Sequence, residues 1–315
     1  MIAPETIADG FTQSELMTLE ECPTKWYLKY NLRLGAPSVN FIFAVGSAWH
    51  RFKEQRAKSE GKSMEPIKLQ FCNDGAELSN EDEAYKEFWE RQLEVLAEAY
   101  NIHYADDFDG TYEFEGAEEV ADLTVTFEGQ KIRLTGRIDE IGKMWGKKSL
   151  IDSKTVSSLG SSSRGWEFRF QFMFYLWLQH QLQPKDKATQ FIVDAVKKPS
   201  IKVKQGESIP GFLNRLRNDA IQNPTSYFHR EKLLLTQGKI EKFETNTLQA
   251  KLRKLAMISN PKTPKPILEM LVLERHTHNC INQITGKECE FLLMCEKGAT
   301  PKEFIHRKHK HPELQ

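Results

Sequence analysis

Asp139, Asp152 and Lys154 fall within one short stretch, GRIDEIGKMWGKKSLIDSKT, on what reads as two strands around a Gly-Lys turn. A two-residue type II′ loop wants Gly first, so Gly146-Lys147 is the natural turn; it sets Lys154 opposite Asp139, with Asp152 diagonal. A Trp145-Gly146 loop would instead face Asp139 with Asp152. In either register the three side chains share a face, because strand parity is preserved. Carboxylates this close repel unless one is protonated or a cation sits between them. Mg²⁺ or Mn²⁺ would suit the pair, since a hard divalent ion takes one or two carboxylates and leaves room for water and phosphate oxygens. The lysine could then orient the attacking water or meet charge building on a phosphate. That is a phosphodiesterase site in outline, although a D-x-K on an amphipathic strand is also an ordinary charge pair.

Other residues add weight. His50 and Glu54 are four apart on one predicted helical face, so both could turn toward a metal; a lone helix histidine is more often surface or packed. Gln171 and Tyr175 are also four apart, on a helix apolar almost all round, where a polar pair fits a stripe facing a site or a buried tyrosine with a backbone partner. Glu118 or Glu119, on the strand before, could supply a further carboxylate; sequence does not choose between them, and Glu119 is named as the candidate ligand.

These motifs resemble the PD-(D/E)XK nucleases, and within them the RecB-like branch that includes many phage-type exonucleases. "GRID" and "LIDSKT" look like the paired metal motifs, "AVGSAWHRFKE" like the helix that brings a histidine, and "QFMFYLWL" like the Q-x-x-x-Y helix. "SELMTLEECPTKWYLKY" looks like the N-terminal cysteine-proline segment. Ile138 stands where the name-giving proline would be, and Ser153 where bulky residues are frequent. The resemblance implies an α/β restriction-endonuclease-like core, a mixed sheet flanked by helices, with helical N- and C-terminal additions. It implies Asp139, Asp152, the backbone carbonyl of Ser153 and His50 as metal ligands, and Lys154, Gln171 and Tyr175 beside them. DNA is the implied substrate, in repair, recombination or phage DNA processing, with a helicase or single-strand annealing recombinase as a partner. The alternatives are an RNA-directed nuclease and a catalytically silent binding or structural subunit.

Cys22 near the start and Cys280, Cys289 and Cys295 near the end resemble the iron–sulfur staple of AddB-like nucleases, which implies a [4Fe-4S] cluster. Zn²⁺ is the rival, but structural zinc sites usually show C-x-x-C pairs and none occurs here. Cys72 is left over as a bystander.

The elements that must position these groups follow from periodicity. Helices are expected from Phe11 to Cys22, from Pro23, through "FAVGSAWHRFKEQRAKSEG" and from Glu81 to Tyr104. After Tyr112 the period becomes two, giving a three-strand meander, then the aromatic helix, the strand "TQFIVDAVKK", a helix beyond Pro210, a strand-like "SYFHREKLLL", a long helix from Lys239 to Ile258 and an irregular cysteine-bearing tail. No repeat or linker divides the 315 residues, so one domain is expected, with a helical N-terminal region (residues 1–110), a catalytic core (111–200) and an extension (201–315).

Net charge is zero, yet residues 73–122 hold 17 acidic residues against Lys86 and Arg91, and residues 123–315 carry about +14. A basic surface on the later region would follow a phosphate backbone; a solvated acidic helix is the plainer account of the earlier one. No apolar run approaches the roughly 20 residues of a membrane span, and the start lacks a secretion-signal pattern, so a cytoplasmic location, bacterial or in a phage-infected host, and no membrane partner are expected. The basic, histidine-rich end "FIHRKHKHPELQ" is expected to be disordered.

Overall fold

The computed structural model describes the chain except residues 1, 3, 36–40, 72–78, 163, 164, 167, 168, 234, 282–285, 287, 312, 313 and 315, so Cys72 lies outside the described residues. The first long helix, α1 (Gln13–Glu21), starts where the Thr12 hydroxyl accepts the Glu15 N–H. It stops at Cys22, and Pro23 opens the next short helix at a position that needs no N–H. Helices α2 (Phe41–Lys58) and α3 (Asn80–His103) follow, the second begun by a capping box between Ser79 and Asp82.

Then come β1 (Tyr112–Phe127), β2 (Gln130–Met144), β3 (Lys147–Val156), the buried helix α4 (Phe170–Leu182), β4 (Gln190–Lys197), α5 (Ile209–Gln222) and β5 (Phe228–Leu233). The five strands form one sheet in the order β1-β2-β3-β4-β5, antiparallel throughout except for the parallel β3–β4 pair. That parallel pair needs a crossover, which α4 supplies. One apolar core joins the sheet to α1 and α4; a second joins α2, α3 and α5. The expected mixed sheet flanked by helices is therefore present. Among the described residues no helix is long and apolar enough to cross a membrane.

Three expectations need correction. The β2–β3 turn is Trp145-Gly146, because Met144 pairs with Lys147. Both loop residues have positive φ, 53° and 70°, which is a type I′ turn: its twist matches the strands, and Trp145 accepts the left-handed conformation for it. The long helix expected from Lys239 to Ile258 is present: an α-helical turn, Gln237–Lys242, runs through a π turn, Phe243–Leu248, into α6 (Gln249–Ser259) without a gap. The tail beyond it contains another helix, α7 (Lys265–Leu273).

The described portion of the basic end is packed. Ile305–His306 pairs with Leu34–Gly35, and Lys310 is 1% exposed. Its ammonium donates to the carbonyls of Thr6 (2.6 Å) and Gly10 (2.7 Å) and lies 2.9 Å from Glu15 Oε1. His311 Nε2 is 3.1 Å from the other Glu15 oxygen, and Trp26 Nε1 donates to Oε1 at 2.8 Å. Composition suggested solvation, but a buried charge is tolerated when paired and hydrogen-bonded, and Glu15 supplies that pairing.

Candidate functional site

The site sits where two strands diverge. The β2–β3 ladder runs from Met144↔Lys147 to Glu140↔Ile151 and then stops. Asp139 and Asp152 are the next residues on each strand, at the mouth of the fork. There the Ser153 N–H donates to Asp139 Oδ2 at 2.9 Å. On its other side β2 pairs with β1, and the pairs Ala117↔Glu140 and Glu119↔Ile138 bracket Glu118 opposite Asp139.

Helix α2 brings His50 over this fork, its Nδ1 3.1 Å from Asp139 Oδ2. One ligand atom each from His50, Glu118 and Asp139 lies within 4.8 Å of the others, the one such group of three or more among the described residues. Glu118 has φ 54° and is partly buried, with Arg137 Nε 2.6 Å from its Oε2. Glu119 is exposed and pairs with Ile138, so of the two carboxylates named from the sequence it is Glu118 that joins the group. Glu54 is turned to Lys58 in an ion pair one turn on.

Asp152 is 2% exposed. Its Oδ1 accepts from Gln171 Nε2 at 3.1 Å, and its Oδ2 lies 2.6 Å from the Lys154 ammonium without a well-directed hydrogen bond. Lys154 in turn sits 5.7 Å from the centroid of the Phe172 ring. Gln171 and Phe172 are thus adjacent side chains of α4, one turned to the acid and one under the base. Tyr175, one turn further, packs against β2: a Cβ on Gly136 would lie 2.8 Å from its ring. The glycine of "GRID" is needed for that close approach. Of the residues singled out from the sequence, His50, Asp139, Asp152, Ser153, Lys154 and Gln171 converge, with Tyr175 packed beside them.

Burial leads the electrostatics of the site. Burial pushes Asp152 up; Lys154 opposes this, but the Asp139 charge adds to it, and the pKa reaches about 6. Burial likewise raises Glu118 against the pull of Arg137, with Asp139 adding to the rise. Burial would raise Asp139 too, yet His50, Lys154 and the Ser153 N–H hold it below its usual value. For His50, burial works downward and the Asp139 carboxylate more than reverses it, so the imidazolium is favoured. A partly desolvated cradle of two carboxylates and one imidazole, with the Asp152 carboxylate alongside, fits a hard divalent ion.

Arg137 was visible in the sequence only as one member of a polar strand face. A second charged group had a fainter signal: Asp194 interrupts the buried run "FIVDAV" on β4, and Lys53 and Arg56 follow His50 at helical spacing.

The four cysteines come together from opposite ends of the chain. His276 and Asn279 bond the Glu21 carbonyl, and the Cys289 N–H donates to the Cys280 carbonyl at 2.7 Å. Burial raises the Cys280, Cys289 and Cys295 thiols, and neighbouring thiolates, among them Cys22 against Cys280 and Cys295, raise them further. Among the described residues, no three of the sulfurs lie within 4.8 Å of one another.

The sequence profile of the PD-(D/E)XK nuclease superfamily matches residues 10–292. No curated protein matches. Among solved structures, the one described as the crystal structure of SSO0001 is 15% identical, covering 69% of this chain and 79% of that one with a TM-score of 0.31, a likeness too slight to carry an argument.

Proposed function

The chain belongs to the PD-(D/E)XK nuclease superfamily, and from that premise we propose that it is a metal-dependent deoxyribonuclease of the RecB-like branch, acting from DNA ends. The observation that carries this reading is the convergence of His50, Glu118 and Asp139 within 4.8 Å, with buried Asp152 alongside. Asp139, Asp152, the Ser153 carbonyl and His50 would hold Mg²⁺ or Mn²⁺, with Glu118 close by. When bound, such an ion supplies Lewis-acid polarisation of the phosphoryl group and a more acidic water.

The chain's own residues do the rest. Lys154, already beside Asp152, holds its ammonium where a phosphodiester oxygen or the attacking water would lie, and a fixed positive charge there meets the charge developing on the phosphate. Gln171 fixes the carboxylate plane of Asp152 from the other oxygen. Tyr175 and Gly136 keep α4 against β2, so the two remain in register.

The four thiols support a [4Fe-4S] cluster as the staple between the N-terminal helices and the C-terminal extension. Cys22, Cys280, Cys289 and Cys295 supply the four thiolates such a cluster takes, without the C-x-x-C pairs usual at structural zinc. The chain then works as a single unit, 1–315, in DNA repair, recombination or phage DNA processing, beside a helicase or an annealing recombinase.

An anaerobic preparation tests both the cluster and the nuclease. Brown colour is expected, together with Mg²⁺- or Mn²⁺-dependent loss of linear DNA while closed circles and RNA survive. Lys154→Ala should reduce cleavage by about 10²–10⁴-fold with folding and DNA binding retained. Colourless protein without metal-dependent cleavage would point to a silent binding subunit, and cleavage of RNA alone would reassign the substrate.

A further inference from the structure

We propose that Lys53 is a positioning residue of the metal site: through Asp194 it sets the height and rotation at which α2 presents His50 to Asp139. The inference rests on the metal-site reading above and adds a residue that touches no ligand or substrate.

His50, Lys53 and Arg56 are spaced i, i+3, i+6 along α2, and each ends on a carboxylate from a different element. His50 meets Asp139 of β2; the Lys53 ammonium lies 2.8 Å from Asp194 Oδ2 of β4; Arg56 Nη1 lies 2.9 Å from Asp107 Oδ2, in the short 3₁₀ turn Ala105–Phe108. Lys53 and Asp194 are 4% and 1% exposed. Tyr100 of α3 donates its hydroxyl to Asp194, and Arg230 of β5 reaches both Asp194 (3.1 Å) and Asp107 (2.7 Å). Burial would raise Asp194, but Lys53 and Arg230 hold it ionised, well below the usual carboxylate range.

A buried ion pair is a poor device for stability alone, because well-packed apolar residues of similar volume often do as well or better. What it supplies is direction. The apolar face of α2, with Ala48, Trp49 and Phe52, can bury its surface in more than one rotation, whereas the Lys53 ammonium reaches Asp194 in one. The reference point is apt, because Asp194 stands beside Ser153 in the parallel β3–β4 register, and the Ser153 N–H holds Asp139. One carboxylate thus fixes both the helix that carries His50 and the strand position that holds its partner. Lys53 is about 4.5 Å along the axis from His50, close enough that a slip at one is a slip at the other. A metal site tolerates only about 0.5 Å of such error.

The test compares Lys53→Met, which keeps length and loses charge, with Asp107→Asn, a lesion in the same network further from His50. Mn²⁺ binding is measured by calorimetry without nucleic acid, alongside thermal stability and the His50 ring resonances of the metal-free protein. Lys53→Met should weaken Mn²⁺ binding by roughly 10–100-fold, the usual cost of a lost outer partner, and shift the His50 resonances. Asp107→Asn should lower stability comparably and leave Mn²⁺ affinity within about threefold. Equal weakening in the two variants, or parental affinity in Lys53→Met, overturns the proposal and makes the network merely structural. If Lys53→Met does not fold, Tyr100→Phe removes one bond to Asp194 without changing charge and should move Mn²⁺ affinity and the His50 resonances in the same direction; unchanged values overturn the proposal. A parent that binds no Mn²⁺ refutes the metal site itself, and the His50 resonances then still decide whether Lys53 positions that ring.

Discussion

Replacing Asp152 by Asn should end catalysis and yet stabilise the metal-free protein. The side chain is 2% exposed, and burial, opposed by Lys154 and reinforced by Asp139, lifts its pKa from 3.8 to about 6. At 1.36 kcal/mol per unit, holding it ionised at neutral pH costs the fold about 3 kcal/mol. The folded state binds this proton more tightly than the unfolded state. The metal-free parent therefore has its full stability from this group below about pH 4 and loses it as the pH rises through 6. Asparagine keeps the shape and the oxygen that Gln171 bonds, removes the charge, and leaves a Lys154 ammonium that is already partly solvated. Allowing for an amide that is itself imperfectly paired, the gain at neutral pH should be about 1–3 kcal/mol, or roughly 2–5 °C in Tm for a chain of this length. Thermal denaturation in a chelator between about pH 4 and 8 reads it, and the parental decline with pH should be much reduced in the variant. Saturating Mn²⁺ should then reverse the order, since a ligand at a hundred times its Kd adds about 2.7 kcal/mol to the parent and little to the variant. A variant less stable than the parent in chelator at neutral pH would refute the reasoning: Lys154 alone would then satisfy Asp152, and the site would have no need of a cation.

Metal affinity should fall with pH, because His50 and Asp152, both raised, must shed protons before they can ligate; calorimetry should show weakening below about pH 6 and a plateau above the His50 titration, and a flat profile would contradict the ligand set. Glu15→Ala strands Lys310 and His311 in the interior and should cost about 3–5 kcal/mol, read as a fall in Tm; a loss under about 1 kcal/mol would show that these cations escape to solvent. Cys289→Ala should abolish the visible absorbance of an anaerobic preparation, and colour that survives would move the cluster elsewhere.

The grouping of the candidate site residues is more legible in the sequence than the scaffold that carries them. Asp139, Asp152, Lys154 and Gln171 could be read because alternation and the four-residue helical repeat hold locally, and local rules survive folding. The sequence leaves the turn open between two loops because type II′ and type I′ both admit Gly146, and only the flanking ladder decides that Trp145 takes the positive φ. Glu118 could not be chosen over Glu119 because the choice depends on a strained backbone residue facing Asp139 across the sheet. Asp194 and Lys53 escaped notice as a pair because 141 residues separate them and neither has a motif. The packed end escaped for the opposite reason: Lys310 and His311 look like solvent-seeking residues, and their partner Glu15 lies some three hundred positions earlier.

That last contact has a bearing on the order of events during synthesis. The five strands of the sheet are complete at Leu233, so the fork holding Asp139 and Asp152 can assemble while the rest of the chain is still being made. Glu15 must wait for Lys310 and His311, and Leu34–Gly35 for Ile305–His306. The segment around Glu15 is therefore completed only after residues 305–311 are made, and until then it carries a buried-type carboxylate without its two cations. A chain stalled before residue 305 would hold a formed Asp139–Asp152 fork beside an unfastened Glu15 segment.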